Sequence, residues 1–315
     1  MKLGTIILIC CLSLWFGHKV ESKDDNVLHL PDATLLVGYG PTNLQITSSG
    51  RAFKLQPNAN EPESWGHHIL ASLSRNGKLI GSARLKEGGR ETIATFSLAE
   101  KKWVEYREVY YVWSVSISAD GSKLAFVSEE KGGSPLLQVL DTKTGQTNVI
   151  VSTPVSVYAA ASWAPDGELI AYQVDLPLRD PHIDHRDFAI KVVEVRTGKT
   201  WGVANGQNPS WSPSGEWIAY LDTSGNPGGG LKCMAVRPDG SGTKTLVTAR
   251  GGFLRRTAPF VLAPVWSPDS AKMLLNEAEN WEAWTMSIHL LDLTKHNLTR
   301  KLRNAVPVLG WAESK

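Results

Sequence analysis

One hydrophobic pattern keeps returning along the chain. A Trp or aliphatic residue precedes a short turn rich in Ser, Pro, Asp and Gly, and a short apolar run follows. It reads LSRNGKLIGS from Leu73, ISADGSKLAF from Ile117, WAPDGELIAY from Trp163, WSPSGEWIAY from Trp211 and WSPDSAKMLL from Trp266. A truncated copy, WAESK, starts at Trp311, and successive copies lie 44, 46, 48, 55 and 45 residues apart. Self-similarity at a fixed period of this length marks a repeat architecture. Asn-Gly and Asp-Gly supply turn chemistry, and short apolar runs between turns read as strands.

Each period holds about four strands. In the second copy the pattern predicts strands at Tyr111–Ser118, Lys123–Ser128, Leu136–Asp141 and Thr147–Val151. DTKTGQ (Asp141–Gln146) turns the last hairpin, as VRTGKT (Val195–Thr200) does one period later. Four antiparallel strands per repeat are the pattern of propeller blades. The Trp-Ser-Pro-Asp-Gly turn, the Ile-Ala-Tyr strand and the D-x-x-x-G hairpin together resemble the repeats of TolB-like β-propellers, the WD-like Pro-Asp repeat family. The resemblance covers essentially all of the chain after residue 22. It is strongest at Trp163, Trp211 and Trp266; the Leu73 and Ile117 copies lack the Trp and the Pro.

The fold expected is therefore all-β, a six-bladed β-propeller of four-stranded antiparallel blades. Five complete copies make five blades. The last copy stops after its inner strand, and Thr34–Gly38, Asn43–Thr47 and Arg51–Leu55 supply the other three. One C-terminal and three N-terminal strands then close a sixth blade and remove the exposed edges of an open array. Complete TolB also carries a smaller α/β domain ahead of its propeller. Residues 23–60 are too few to hold one, so residues 23–315 are expected to be a single propeller domain.

The N-terminus departs from the repeat. Lys2 is followed by the apolar run Leu3–Gly17, short for a membrane span and of the right length for a secretory signal. Val20 and Ser22 are small enough for a cleavage site, so residues 1–22 read as a signal peptide and the protein as exported, periplasmic or secreted. No later apolar run reaches spanning length. Of three Cys only Cys233 lies beyond the signal, so no internal disulfide is expected, and its apolar surroundings read as core.

Composition fits this picture. Twelve Trp beside 28 Gly and 17 Pro suit short strands and tight turns rather than helical packing. The net charge is +2, or +1 without Lys2, Lys19 and Glu21, which argues against a nucleic-acid partner. A monomer is expected.

In a four-stranded blade the turns after the first and third strands share one face, and the connections after the second and fourth share the other. Here all the long connections fall in the second set: Gln56–Gly66, Val174–Asp187, Asp222–Gly230 and Thr248–Ala263. Long loops on a rigid scaffold are where function concentrates, so this is the expected binding face. Four groups of residues there carry candidate chemistry. Asp180, His182, Asp184, His185 and Asp187 bring carboxylates and imidazoles together, donors that suit a divalent metal, though at no named metal spacing; the same residues, with Arg179 and Arg186, also make a solvated ion-paired loop. His67, His68, Tyr111, Tyr158, Gln207 and Asn208 fall near the starts of inner strands, at the mouth of the central channel. Arg250, Arg255 and Arg256 flank Phe253 and Phe260, a mixture suited to an anionic or peptide partner. Asn276–Trp284 reads as a loop in which Glu277, Glu279 and Glu282 alternate with Trp281 and Trp284, either packed or able to bind sugar or act as acid and base.

There is no G-x-S-x-G elbow, no H-E-x-x-H and no C-x-x-C. Thr197–Thr200 ends like a phosphate-binding loop but lacks its first Gly and joins two strands. Asn297-Leu298-Thr299 is a glycosylation sequon, meaningful only in a eukaryotic source. The expected function is a non-catalytic scaffold that binds a protein or peptide, with no cofactor. The alternatives are a metal-dependent propeller hydrolase or lactonase, and a glycan- or small-ligand-binding propeller.

Overall fold

A computed structural model of the chain describes residues 28, 30, 33–38, 45–48, 51–54, 71–86, 89–153, 155–156, 161–177, 187–222, 232–248, 262–280, 285–305 and 307–313. Its strands are β1 (Ala33–Val37), β2 (Gln45–Ser48), β3 (Arg51–Lys54), β4 (Ala71–Leu73), β5 (Leu79–Leu85), β6 (Glu91–Ser97), β7 (Lys102–Val109), β8 (Tyr111–Ile117), β9 (Lys123–Glu129), β10 (Leu136–Asp141), β11 (Thr147–Val151) and β12 (Ser162–Trp163). They continue as β13 (Leu169–Asp175), β14 (Phe188–Glu194), β15 (Thr200–Asn205), β16 (Gln207–Trp211), β17 (Ile218–Asp222), β18 (Lys232–Val236), β19 (Lys244–Thr248), β20 (Val265–Trp266), β21 (Lys272–Asn280), β22 (Thr285–Asp292), β23 (Asn297–Ala305) and β24 (Val308–Glu313).

The strands form antiparallel four-stranded sheets, the blades of a propeller. Blades one to five are the consecutive quartets β4–β7, β8–β11, β12–β15, β16–β19 and β20–β23. A further sheet, the closing blade, has the order β24-β1-β2-β3: the last strand supplies its inner edge and the first three the rest. Leu35 pairs with Trp311 across that junction.

Each sheet buries both of its faces, so the middle strands read as continuous apolar runs rather than alternating ones. The core is divided among the seams between neighbouring blades. Ala83, Ile93 and Val109 of blade one meet Val115, Leu124 and Phe126 of blade two. Val127, Leu137 and Val139 then meet Trp163, Ile170 and Val193, and Ile190 and Val192 meet Trp211, Ile218 and Val236. Leu221 and Cys233 meet Trp266, Met273 and Leu291. Leu274 and Ile288 meet Leu35, Val37 and Val308, and Leu36 and Ile46 return to Ala71, Ile80 and Phe96 of blade one.

Polar links cross the same seams in two alternating forms. Ile117 N donates to Ser72 Oγ and Trp211 N to Ser162 Oγ, at 2.7 and 2.8 Å. Trp163 Nε1 donates to the Ser116 carbonyl and Trp266 Nε1 to the Ser210 carbonyl, both at 3.0 Å. The second form requires the motif Trp; the first requires only Ser.

Candidate functional site

The two faces of the ring are built differently. On the face of short turns, polar side chains are consumed by their own turns or by neighbouring ones, as where Arg75 Nη1 donates to the Pro213 carbonyl at 2.9 Å and Lys123 Nζ to the Gly167 carbonyl at 3.2 Å. Ser74 Oγ accepts from Leu79 N and donates to Asn76 Oδ1; Ser118 with Asp120 and Ser267 with Asp269 repeat the device. Asp141 accepts from Lys143 N, Thr144 N and Thr144 Oγ1, and these bonds hold its carboxyl below the usual range. In blade five Ser270 stands where the other turns have Gly, at φ 61°, a conformation that is strained for a residue with a Cβ.

On the opposite face, the first residues of an inner strand are held by a side chain of the preceding blade. Val112 N donates to Glu91 Oε2. Asn208 N donates to Gln173 Oε1 at 2.9 Å, while Gln173 Nε2 donates to Ser156 Oγ at 3.0 Å. Asn276 clamps Val308 in both directions, Nδ2 donating to its carbonyl and Oδ1 accepting from its N–H, each at 2.9 Å. Gln173 and Asn276 occupy the same repeat position, ten residues after Trp163 and Trp266. Burial pushes the Glu91 carboxyl up to about 7, against the pull of the Val112 amide.

Blade two adds an aromatic and acidic cluster at this face. Tyr111 lies edge-on to Trp113 with ring centroids 4.6 Å apart, and Trp113 Nε1 donates to Glu129 Oε2 at 3.2 Å. Tyr110, in the connection that leads into β8, is 42% exposed. In blade one the buried Arg84 bonds Glu105 at 2.6 Å and stacks over Trp103, and Lys86 shares the same carboxylate. In blade five His289 Nε2 and Glu277 Oε2 lie 2.9 Å apart, both side chains buried.

Among the expected site residues, Tyr111 and Gln207 are the first residues of β8 and β16, and Asn208 follows with φ 56°. Gln207 and Asn208 are buried, and the Asn208 amide joins the Gln173 clamp. Asp187 lies at the base of its loop, where its carbonyl accepts from Leu176 N. His67, His68, Tyr158, Arg179, Asp180, His182, Asp184, His185, Arg250, Phe253, Arg255, Arg256 and Trp281 lie outside the described residues. Among the described residues no group of three or more His, Cys, Asp or Glu could hold a metal, and no helix is long and apolar enough to cross a membrane.

One reading is corrected. Asn276 and Glu277 are not in a loop: β21 runs on to Asn280, Asn276 faces the closing blade and Glu277 pairs with His289. Their polar run hides a strand because partners on both sides satisfy them. Sequence reasoning also missed Glu91, Gln173, Trp113 and Glu129. The shared offset of Gln173 and Asn276 from the motif Trp was the signal available. Cys233 is fully buried beside Met273 Sδ, and burial pushes its thiol up to about 12, as suits a core residue.

No protein-family model matches the chain, and no curated protein matches it in sequence. Solved structures do match in fold. TolB from Acinetobacter baumannii superposes with a TM-score of 0.64 at 14% identity, over 90% of this chain and 66% of that one. A chain of a nidogen/laminin complex matches with a TM-score of 0.56 at 11% identity, over 90% of this chain and 98% of that one. An oligogalacturonate lyase in complex with manganese matches with a TM-score of 0.53 at 14% identity, over 86% and 72%. The chain has the TolB-like propeller fold and spans just under two thirds of the Acinetobacter TolB chain.

Proposed function

We propose that residues 23–315 form one closed six-bladed domain, exported after loss of residues 1–22, which binds a protein or peptide partner at the face of long connections. The observation that carries this reading is the contrast between the faces. The short-turn face spends its Ser and Asp side chains within its turns, whereas the other presents Tyr110 beside the Tyr111, Trp113 and Glu129 cluster. Exposed aromatics beside charged groups are common anchors of interfaces. The structural likeness to a chain of the nidogen/laminin complex supports a protein partner, as an analogy at the level of fold.

The test is capture of partners by the purified domain. Tyr110→Ala with Tyr111→Ala, and separately Arg255→Ala with Arg256→Ala, are expected to lower recovery of the same partner at least tenfold with unchanged melting. Equal recovery by all variants would overturn the choice of face.

A metal-dependent enzyme is the second reading, favoured by the manganese-bound lyase among the fold neighbours. The residues for it would be Asp180, His182, Asp184, His185 and Asp187. Bound metal in the purified protein, and a melting temperature lowered by chelator and insensitive to it in His182→Ala/His185→Ala, would establish this reading. Absence of both would remove it.

A further inference from the structure

Every blade ends in an outer strand paired on one side only, and such an edge is a template for another chain. Charges guard most of them. β7 carries Lys102, Glu105, Arg107 and Glu108; β19 carries Lys244; β23 carries Arg300, Lys301 and Arg303; β3 carries Arg51 and Lys54. Only β11, TNVIV, and β15, TWGVAN, have none. A register shift between third and fourth strands recurs in blades one to five, so it does not distinguish these two.

β15 is covered by the next blade. Trp201 Nε1 donates to the Pro238 carbonyl at 2.8 Å, and Gly240 of the same turn sits against Val203 and the Gly202 carbonyl. β11 receives no such side-chain bond among the described residues; the next blade touches it where Gly198 stands against the Ile150 carbonyl. Between β11 and the Val195–Gly198 turn of blade three runs a groove of about 540 Å³, walled by Asn148, Val149 and Ile150 on one side and Arg196 and Thr197 on the other. Val149 is 51% exposed. Lys123 and Arg196 bring positive charge to this groove; its one acid, Asp141, is folded into its own turn. Arg196 is 85% exposed and 3.7 Å from Glu194, whose other contact is with Thr197 Oγ1.

We infer that β11 is a docking edge for an extended, acidic peptide segment of a partner protein, which adds as a fifth strand to blade two. Backbone bonds to β11 supply affinity, and alternate side chains supply specificity. A β-branched side chain of the peptide packs on Val149, and an acidic one reaches Arg196 and Lys123. The site lies away from the face of long connections and stands independently of its function.

The probe is a fluorescent hexapeptide of alternating Glu and Val, with a Pro-interrupted peptide of the same composition as control. Fluorescence anisotropy is expected to show salt-dependent binding of the first and at least tenfold weaker binding of the second. Val149→Lys, which gives β11 the charge other outer strands carry, should weaken binding at least tenfold; Arg196→Ala should weaken it severalfold. Thr245→Lys on β19 should leave it unchanged. Amide exchange should slow at Asn148–Ile150 on binding. No binding at millimolar peptide, equal binding of the Pro-interrupted control, or protection confined elsewhere would each overturn the proposal. So would a peptide-free dimer abolished by Val149→Lys, which would assign the edge to a second copy of this chain.

Discussion

The seams on either side of blade one and those on either side of blade four are filled by opposite means. Around blade one the inner strands carry Leu73 and Ile117, and the sheets approach closely over glycine. A Cβ on Gly310 would stand 2.8 Å from Leu73 Cβ, and one on Gly81 would stand 2.5 Å from Leu124 Cδ2. Around blade four Trp211 and Trp266 fill the seam with bulk. A seam needs close packing and a satisfied polar link, and the motif Trp is one of two ways to obtain them. Where Trp is missing, a glycine on the facing strand takes up the difference.

Gly310→Ala should overfill the seam between the closing blade and blade one. Overpacking a closed seam costs about 1–3 kcal/mol, so denaturant titration should show a loss in that range. Gly202→Ala, whose Cβ would meet nothing within 4 Å, should be near neutral. Equal effects would mean that close approach is not what closes blade one.

A smaller effect separates the Trp residues. Trp163→Phe leaves the Ser116 carbonyl without its buried donor, whereas Trp211 Nε1 donates only to Gly215 in its own turn. A buried group left unpaired costs about 1–3 kcal/mol. Both variants lose the same volume, so Trp163→Phe should be about 1 kcal/mol more destabilising by the same titration.

A pH-dependent effect arises at the seam between blades one and two. In the unfolded chain Glu91 titrates near its ordinary value of 4.5, and in the folded state at about 7. Between these the folded state holds the extra proton, so the contribution of Glu91 is greatest below about 4.5 and is lost as pH rises to 7. Glu91→Gln should flatten that decline when denaturation midpoints at pH 5 and 8 are compared. An unchanged slope would assign the pH dependence to other groups.

Strand placement was legible because the repeat supplies its own punctuation. Tyr111, Lys123, Leu136 and Thr147 begin strands as the pattern of blade two predicts, and β1–β3 stand beside β24 because the truncated WAESK copy leaves an inner strand without partners. The polar clamps were not legible. Glu91 and Gln173 act on the first residues of the following blade, and Asn276 acts on the closing one, contacts that no local pattern encodes. Glu277 illustrates the difficulty: without its His289 partner in view, a Glu among polar neighbours reads as loop.

The pairing of Leu35 with Trp311 also has a temporal consequence. A ribosome delivers β1–β3 long before β24, so three strands wait without an inner neighbour until Val308–Glu313 is made. Contacts so distant in sequence are slow to form, and until they do, blade five and blade one each keep a bare flank. The latch between β1 and β24 therefore makes the arrival of β24 the condition for a complete β24-β1-β2-β3 sheet.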